Sequence, residues 1–173
     1  MHIETQRLVL RELQISDAAP LAQIWSDPDV TKFMGGPRDE ARLRQDLEDE
    51  AESAAASRID LWPVIEKASG EVIGHCGLLE KEVDGQAEIE LIYVFGKSAW
   101  GRGYATEAAM AVREYAFEQL DLRRLIALID PENAASERVA LKAGFRYEKE
   151  TRRPSGIVLR VYAADCREEI AAG

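Results

Sequence analysis

Apolar residues in this chain recur with two different periods, and the switches between them mark the elements. Residues 3–13 carry Leu8 and Leu10 in partial alternation, which predicts a first strand. Ser16-Asp17 then offers a helix cap, Pro20 falls in a first turn, and Leu21, Ile24 and Trp25 follow at helical spacing. Pro28 and Gly35-Gly36-Pro37 break the chain before a charged, alanine-rich stretch, residues 38–57, that predicts a solvated helix. Residues 59–67 and 71–82 read as strands joined at Ala68-Ser69-Gly70, and Asp84-Gly85 signals a hairpin into residues 87–95. After Gly103 the stripe Ala105, Ala108, Ala109, Val112 and Ala116 predicts a helix packed closely on a sheet. A short buried strand at 125–129, a helix from about Asn133 to Gly144, and a last strand at 158–163 complete the pattern.

No repeat, linker or low-complexity tract divides this order, so the 173 residues are expected to form one α+β domain, 1–173. Composition narrows the function. A net charge of −10 argues against a nucleic-acid binder, which needs a basic face. No apolar run reaches bilayer length and the N-terminus lacks a secretory pattern, so no membrane partner and a cytoplasmic location are expected. Cys76 and Cys166 are expected to be reduced thiols, and with only His2 and His75 beside them no metal site is expected. The charge is uneven: acidic residues outnumber basic ones two to one over 38–60, whereas 102–167 is richer in arginine, which is where an anionic ligand would sit.

The segment after Ile89-Glu90-Leu91-Ile92-Tyr93-Val94-Phe95 carries the chemistry. There Trp100-Gly101-Arg102-Gly103-Tyr104-Ala105-Thr106-Glu107-Ala108 runs from a glycine-bearing turn into a helix. Free N–H groups at a helix start, backed by the helix dipole, bind anions such as pyrophosphate, and glycine leaves the backbone approachable. A tight turn with no ligand would use the same glycines. A dinucleotide fingerprint is incomplete, because Thr106 stands at its third glycine position and the preceding strands look antiparallel.

The turn resembles the GNAT acetyltransferase signature Gln/Arg-x-x-Gly-x-Gly/Ala, with Gly103 and Ala105 at its last positions and Trp100 replacing its first. That form is similar to the RimJ/RimL-like branch. So are Glu4-Thr5-Gln6-Arg7-Leu8-Val9-Leu10-Arg11, Gly74-His75-Cys76-Gly77-Leu78, Asn133-Ala134-Ala135-Ser136 and Lys142-Ala143-Gly144-Phe145, in the same order. The resemblance implies a mixed, strongly twisted sheet, splayed at its centre and flanked by helices. It implies acetyl-CoA as co-substrate, its pantetheine arm pairing with the backbone of Tyr93 and Phe95. The turn Trp100, Gly101, Arg102, Gly103, Tyr104, Ala105, Thr106 would hold the pyrophosphate, with Arg102 either a phosphate contact or a solvated turn residue. An amine acceptor, a small molecule or a protein N-terminus, and a monomer or homodimer are the partners it implies.

Acyl transfer to an amine needs a neutral amine, a stabilised oxyanion and a proton for the departing thiolate. Attack is expected to be direct, and the oxyanion donor is expected to be the Phe95 N–H. Glu90 is the candidate base, with a surface ion pair as its alternative role. The tyrosine that many GNAT enzymes place seven residues after the helix-starting asparagine is Ala140 here. Ser136, as in RimJ/RimL-like relatives, is the candidate donor to the sulfur, and Asn133 would contact the pantetheine; both also suit a helix start. Trp62, Phe33 and Met34 are open between pocket and core. The missing tyrosine leaves a second function open, a non-catalytic CoA-binding or regulatory module.

Overall fold

A computed structural model describes residues 1–53 and 58–166. The stretch expected as one first strand is two, β1 (His2–Glu4) and β2 (Leu8–Arg11), paired antiparallel. Thr5 turns the chain back, its N–H donating to Leu8 O at 3.0 Å and its Oγ1 accepting from Leu8 N at 2.9 Å. A single helical turn at Ile15–Asp17 leads into α1 (Ala18–Ser26). Asp17 does not cap α1. It is buried, where it takes Arg11 at 2.6 and 2.9 Å and the Gln14 N–H at 2.8 Å. The charged helix is α2 (Glu40–Glu52), capped by Asp39; the last residues of its expected span, 54–57, lie outside those described.

Three strands follow, β3 (Leu61–Glu66), β4 (Val72–Val83) and β5 (Gln86–Phe95), antiparallel in succession. Asp84 (φ 52°) and Gly85 (φ 76°) both take the left-handed conformation that a two-residue hairpin turn demands. The chain continues through α3 (Tyr104–Glu118), β6 (Arg124–Ile129), α4 (Ala134–Lys142), β7 (Arg146–Arg152) and β8 (Val158–Asp165). The eight strands form one sheet in the order β1-β2-β3-β4-β5-β6-β8-β7. β7 has no apolar alternation and is nearly all exposed. Its pairing with β8, and the bonds of Lys149 and Thr151 to Asp84 at 2.7 Å each, hold it in place.

Opposed residues of β4 and β5 share a face. Cys76, Leu78, Leu91 and Phe95 form the main core with the alanine stripe of α3, whose Ala108, Ala109 and Ala116 have no exposure at all. α1 packs on β4 from the other face, where the Trp25 indole meets His75. Burial lowers the His75 pKa to about 4, so this histidine is neutral near pH 7.

The sheet splits at its centre. β5 is laddered to β4 from Val83↔Gln86 to Gly74↔Phe95, yet it meets the parallel β6 only at Glu90↔Ile126. Beyond Glu90 the two strands diverge, and the last residues of β5 face a gap.

Candidate active site

The gap opens into a cleft of 670 Å³ bounded by the end of β5, the start of α3, one side of α4 and the loop after α1. Which groups of β5 face it follows from the ladder. Gly96 N–H donates to Ile73 O at 3.0 Å, so by antiparallel alternation Val94 and Ile92 turn their main-chain groups toward β4. Those of Tyr93 and Phe95 then point the opposite way, into the gap. This is an unpaired sheet edge, able to accept an extended chain carrying amides. One rung is already filled, because the Trp100 indole donates to Phe95 O at 2.8 Å.

The turn that closes this end is left-handed at Gly101 (φ 72°) and Gly103 (φ 80°). An added Cβ would meet nothing within 4 Å at Gly101 and only Arg7 at 3.5 Å at Gly103, so it is the conformation itself that calls for glycine here. Gly103 starts α3 without a side-chain cap, and the first helical bond is Glu107 N–H to Gly103 O at 3.1 Å. The N–H groups of Tyr104, Ala105 and Thr106 therefore have no intrahelical acceptor, and all three residues line the cleft. A helix start of this kind can hold an anion with main chain alone.

A frame of side chains holds the turn from behind. Arg7 donates to Arg102 O at 2.9 Å and to Glu107 at 2.7 Å, while Thr5 donates to Glu107 at 2.6 Å. The Tyr104 hydroxyl donates to Glu66, and the Arg7 and Arg102 guanidinium groups lie over the Tyr104 ring at 4.5 and 4.8 Å. Arg102 ion-pairs with Glu66 at 3.0 Å and is not among the cleft-lining residues. As placed, it belongs to the frame. Such partly exposed pairs contribute little stability singly, but together they fix the turn's geometry.

At the other end, Asn133 caps α4 by accepting the Ser136 N–H at 3.1 Å, and both residues line the cleft. The Tyr93 hydroxyl lies 2.9 Å from both Ser136 O and Ser136 Oγ. The carbonyl can only accept, so the phenol donates to Ser136 O, and between the phenol and Ser136 Oγ either oxygen can be the donor. Burial pushes the Tyr93 pKa up to about 12, which keeps it a neutral hydrogen-bond donor. Sequence reasoning used only the backbone of Tyr93, because nothing along the chain relates position 93 to position 136.

Glu90 lies at the base of the split, outside the cleft lining. Burial raises its pKa, opposed by Lys81 at 3.8 Å and by the Leu128 N–H. Asp29 is the one carboxylate among the cleft-lining residues described, and Lys97 holds it at 2.8 Å. Phe33 and Met34 line the cleft, whereas Trp62 is core, buried edge-on against Tyr115. Ala140 is buried beneath α4. Cys76 is buried too, its thiol pKa raised by that burial. Among the described residues no group of three His, Cys, Asp or Glu could hold a metal, and no helix is long and apolar enough to cross a membrane.

Comparison with known proteins agrees with this geometry. The family model of the acetyltransferase (GNAT) domain matches residues 7–146. The chain is similar to the uncharacterized protein YkkB of Bacillus subtilis (strain 168), 35% identical over 150 residues, which span 86% of this chain and 87% of YkkB. It is likewise similar to the uncharacterized N-acetyltransferase p20 of Bacillus licheniformis, 34% identical over 171 residues and 91% of each chain. Among solved structures it resembles an acetyltransferase (GNAT family) from Bacillus anthracis, with TM-score 0.80 and 29% identity over 95% of this chain and 98% of that one.

Proposed function

Since the chain belongs to the GNAT acetyltransferase family, we propose that it moves an acetyl group from acetyl-CoA to a primary amine by direct attack in a ternary complex, as in the RimJ/RimL-like branch. The observation that carries this is the open edge of β5 leading straight into the uncapped start of α3. One wall of the cleft thus offers amide partners and then phosphate partners, the order in which pantetheine and pyrophosphate follow one another. The form of the turn from Trp100 to Ala108 supports the branch.

In this reading the N–H groups of Tyr104, Ala105 and Thr106 take the pyrophosphate, and Tyr93 and Phe95 pair with the arm. The thiol end comes to Tyr93 and Ser136. Phe95 lies two residues nearer the phosphate turn, so the oxyanion donor is better assigned to the Tyr93 N–H than to the Phe95 N–H expected from sequence. A C–N bond forms, the C–S bond breaks, and the proton lost by nitrogen ends on sulfur. Ser136 Oγ, oriented by Tyr93, hydrogen-bonds the departing thiolate. Asp29 is occupied by Lys97, so amine deprotonation falls to Glu90 through water at the base of the split. Buried Cys76, with its raised pKa, is unsuited to an acyl-enzyme.

The test is a panel of amines incubated with acetyl-CoA, reading thiol release and acetylated product by mass. Acetyl-CoA, but not NAD, should also raise the melting temperature. Binding without turnover on any amine would favour the non-catalytic CoA-binding module.

A further inference from the structure

We propose that the acceptor is a free α-amino acid with a large apolar side chain. Lys32 meets its carboxylate, and Phe33 and Met34 meet its side chain. This rests on the acyl-transfer reading of the cleft and names the substrate class for it. All three residues line the cleft from the loop after α1. In that reading β5 and the start of α3 hold the donor and α4 brings Ser136, so this loop is the wall left to the acceptor.

The loop is built to hold its shape. Thr31 has no exposure; its hydroxyl donates to Asp27 O at 2.8 Å, and its carbonyl accepts the Met34 and Gly36 N–H groups at 2.8 and 3.1 Å. Lys97 ion-pairs with Asp27 at 3.1 Å and with Asp29 at 2.8 Å, which ties the loop to the segment after β5. Lys32 therefore projects from a clamped turn, and its ammonium lies 4.9 Å from the centroid of the Phe33 ring. A cation and an apolar surface stand side by side in one wall.

Charge selects among amines. Asp29, the one carboxylate among the cleft-lining residues described, is already paired with Lys97, while Lys32, Arg138 and Lys142 line the same cleft. A polyamine, or any acceptor with a second ammonium, would meet no unpaired carboxylate there and would be repelled. A carboxylate on the carbon beside the reacting nitrogen turns that repulsion into attraction, through a charge-assisted bond to Lys32. Val30, Phe33 and Met34 then favour an apolar side chain over a polar one. A peptide N-terminus carries an amide in place of the carboxylate and offers Lys32 no charge. Transfer forms the C–N bond of an N-acetyl amino acid, breaks the C–S bond and leaves the proton of the amine on the thiol.

The experiment gives the full chain saturating acetyl-CoA and compares leucine, leucinamide, a peptide beginning with leucine, and spermidine. Thiol release and product mass give kcat/KM for each. Leucine should exceed leucinamide and the peptide by roughly 10- to 100-fold. Unaided chemistry favours the amide, whose amine lacks a neighbouring negative charge and is more often neutral near pH 7. Lys32→Met should erase the preference for leucine, through KM, and leave the acetyl-CoA Kd by calorimetry within about twofold of wild type. Phe33→Ala should narrow the preference for leucine over glycine by roughly tenfold. Leucinamide or the peptide matching leucine overturns the proposal, a faster peptide pointing to a protein N-terminus, and so does faster turnover of spermidine. A Lys32→Met variant that keeps the preference overturns it, as does one that loses acetyl-CoA affinity, since Lys32 would then serve the donor. If acetyl-CoA binds and no amine of any kind is acetylated, the transfer reading itself falls and the acceptor falls with it.

Discussion

At the end proposed for the phosphates the cleft presents main chain: the N–H groups of Tyr104, Ala105 and Thr106, shaped by the left-handed Gly101 and Gly103 and held from behind by Arg7 and Glu66. At the end proposed for the thiol it presents side chains, the Tyr93 phenol and the Ser136 hydroxyl, brought together where the end of β5 meets the start of α4. The two ends should therefore fail differently. Side chains at the phosphate end are replaceable so long as the helix start keeps its shape and charge. At the thiol end the loss of one oxygen should slow turnover while the ligand still binds.

Thr106→Asp should give the largest effect. A carboxylate in the first turn of α3 suits the helix dipole, so stability should hold or rise by a few tenths of a kcal/mol. The same charge competes with phosphate for the N–H groups and repels it, and the acetyl-CoA Kd should rise roughly 100-fold or more. Calorimetry beside a thermal melt reads both signs together. An unchanged Kd in a folded variant would place the pyrophosphate elsewhere.

Next are Ser136→Ala and Tyr93→Phe. If the serine hydroxyl meets the thiolate, Ser136→Ala should lower kcat roughly tenfold to a thousandfold with little change in acetyl-CoA affinity. Tyr93→Phe leaves the serine in place but unoriented and should cost about tenfold. Because one acts through the other, the double variant should be no slower than Ser136→Ala, whereas independent roles would multiply. If Ser136→Ala leaves kcat intact and costs only about 1 kcal/mol of stability, the serine merely supports the helix start.

The same contrast explains what could be read from the chain. The Asp84-Gly85 hairpin, the glycine turn and the alanine stripe of α3 are local necessities of backbone or packing, so the residues that meet them are visible in order. The divergence of β5 from β6 is not local, and only family resemblance suggested it. The pairing of Tyr93 with Ser136, 43 residues apart, depends on that divergence, and the ion pair of Arg102 with Glu66, 36 residues apart, is equally without a local signal. The break between β1 and β2 rests on two bonds of one threonine, its N–H to Leu8 O and its hydroxyl from Leu8 N–H. β7 has no apolar alternation to betray it and owes its place to its partner strand and to Asp84.

Glu90→Gln examines whether the thiol end extends below the cleft. Burial raises the folded pKa of Glu90, so the unfolded chain releases that proton at lower pH than the native one. The resulting cost to stability is absent below the ordinary carboxyl range and grows as pH rises toward the folded pKa. Wild type should lose stability relative to Glu90→Gln across that window, and an acid-to-neutral series of melts reads it. As base through a water, Glu90 should also give kcat/KM an acid limb with a pKa above the ordinary carboxyl value, and the glutamine variant should be about tenfold slower. An unaltered rate and pH profile in the variant would return Glu90 to a structural pairing with Lys81.

Trp100→Phe should have the smallest effect. The indole stands where the family signature carries glutamine or arginine, is half exposed, and donates to Phe95 O at 2.8 Å. Phenylalanine keeps a ring in the cleft wall but loses the donor, so the Phe95 carbonyl must take water or a ligand amide instead. The lost bond should lower stability by about 1 kcal/mol, the ordinary worth of one such hydrogen bond. Affinity should change by less than about fivefold, because the carbonyl freed on the open edge of β5 is one more acceptor for an amide-bearing arm, offsetting the less rigid turn. A loss of affinity beyond about fiftyfold with a stable fold would show that the indole itself contacts the ligand. The phosphate end would then depend on a side chain as the thiol end does, and the division between main-chain and side-chain recognition would no longer hold.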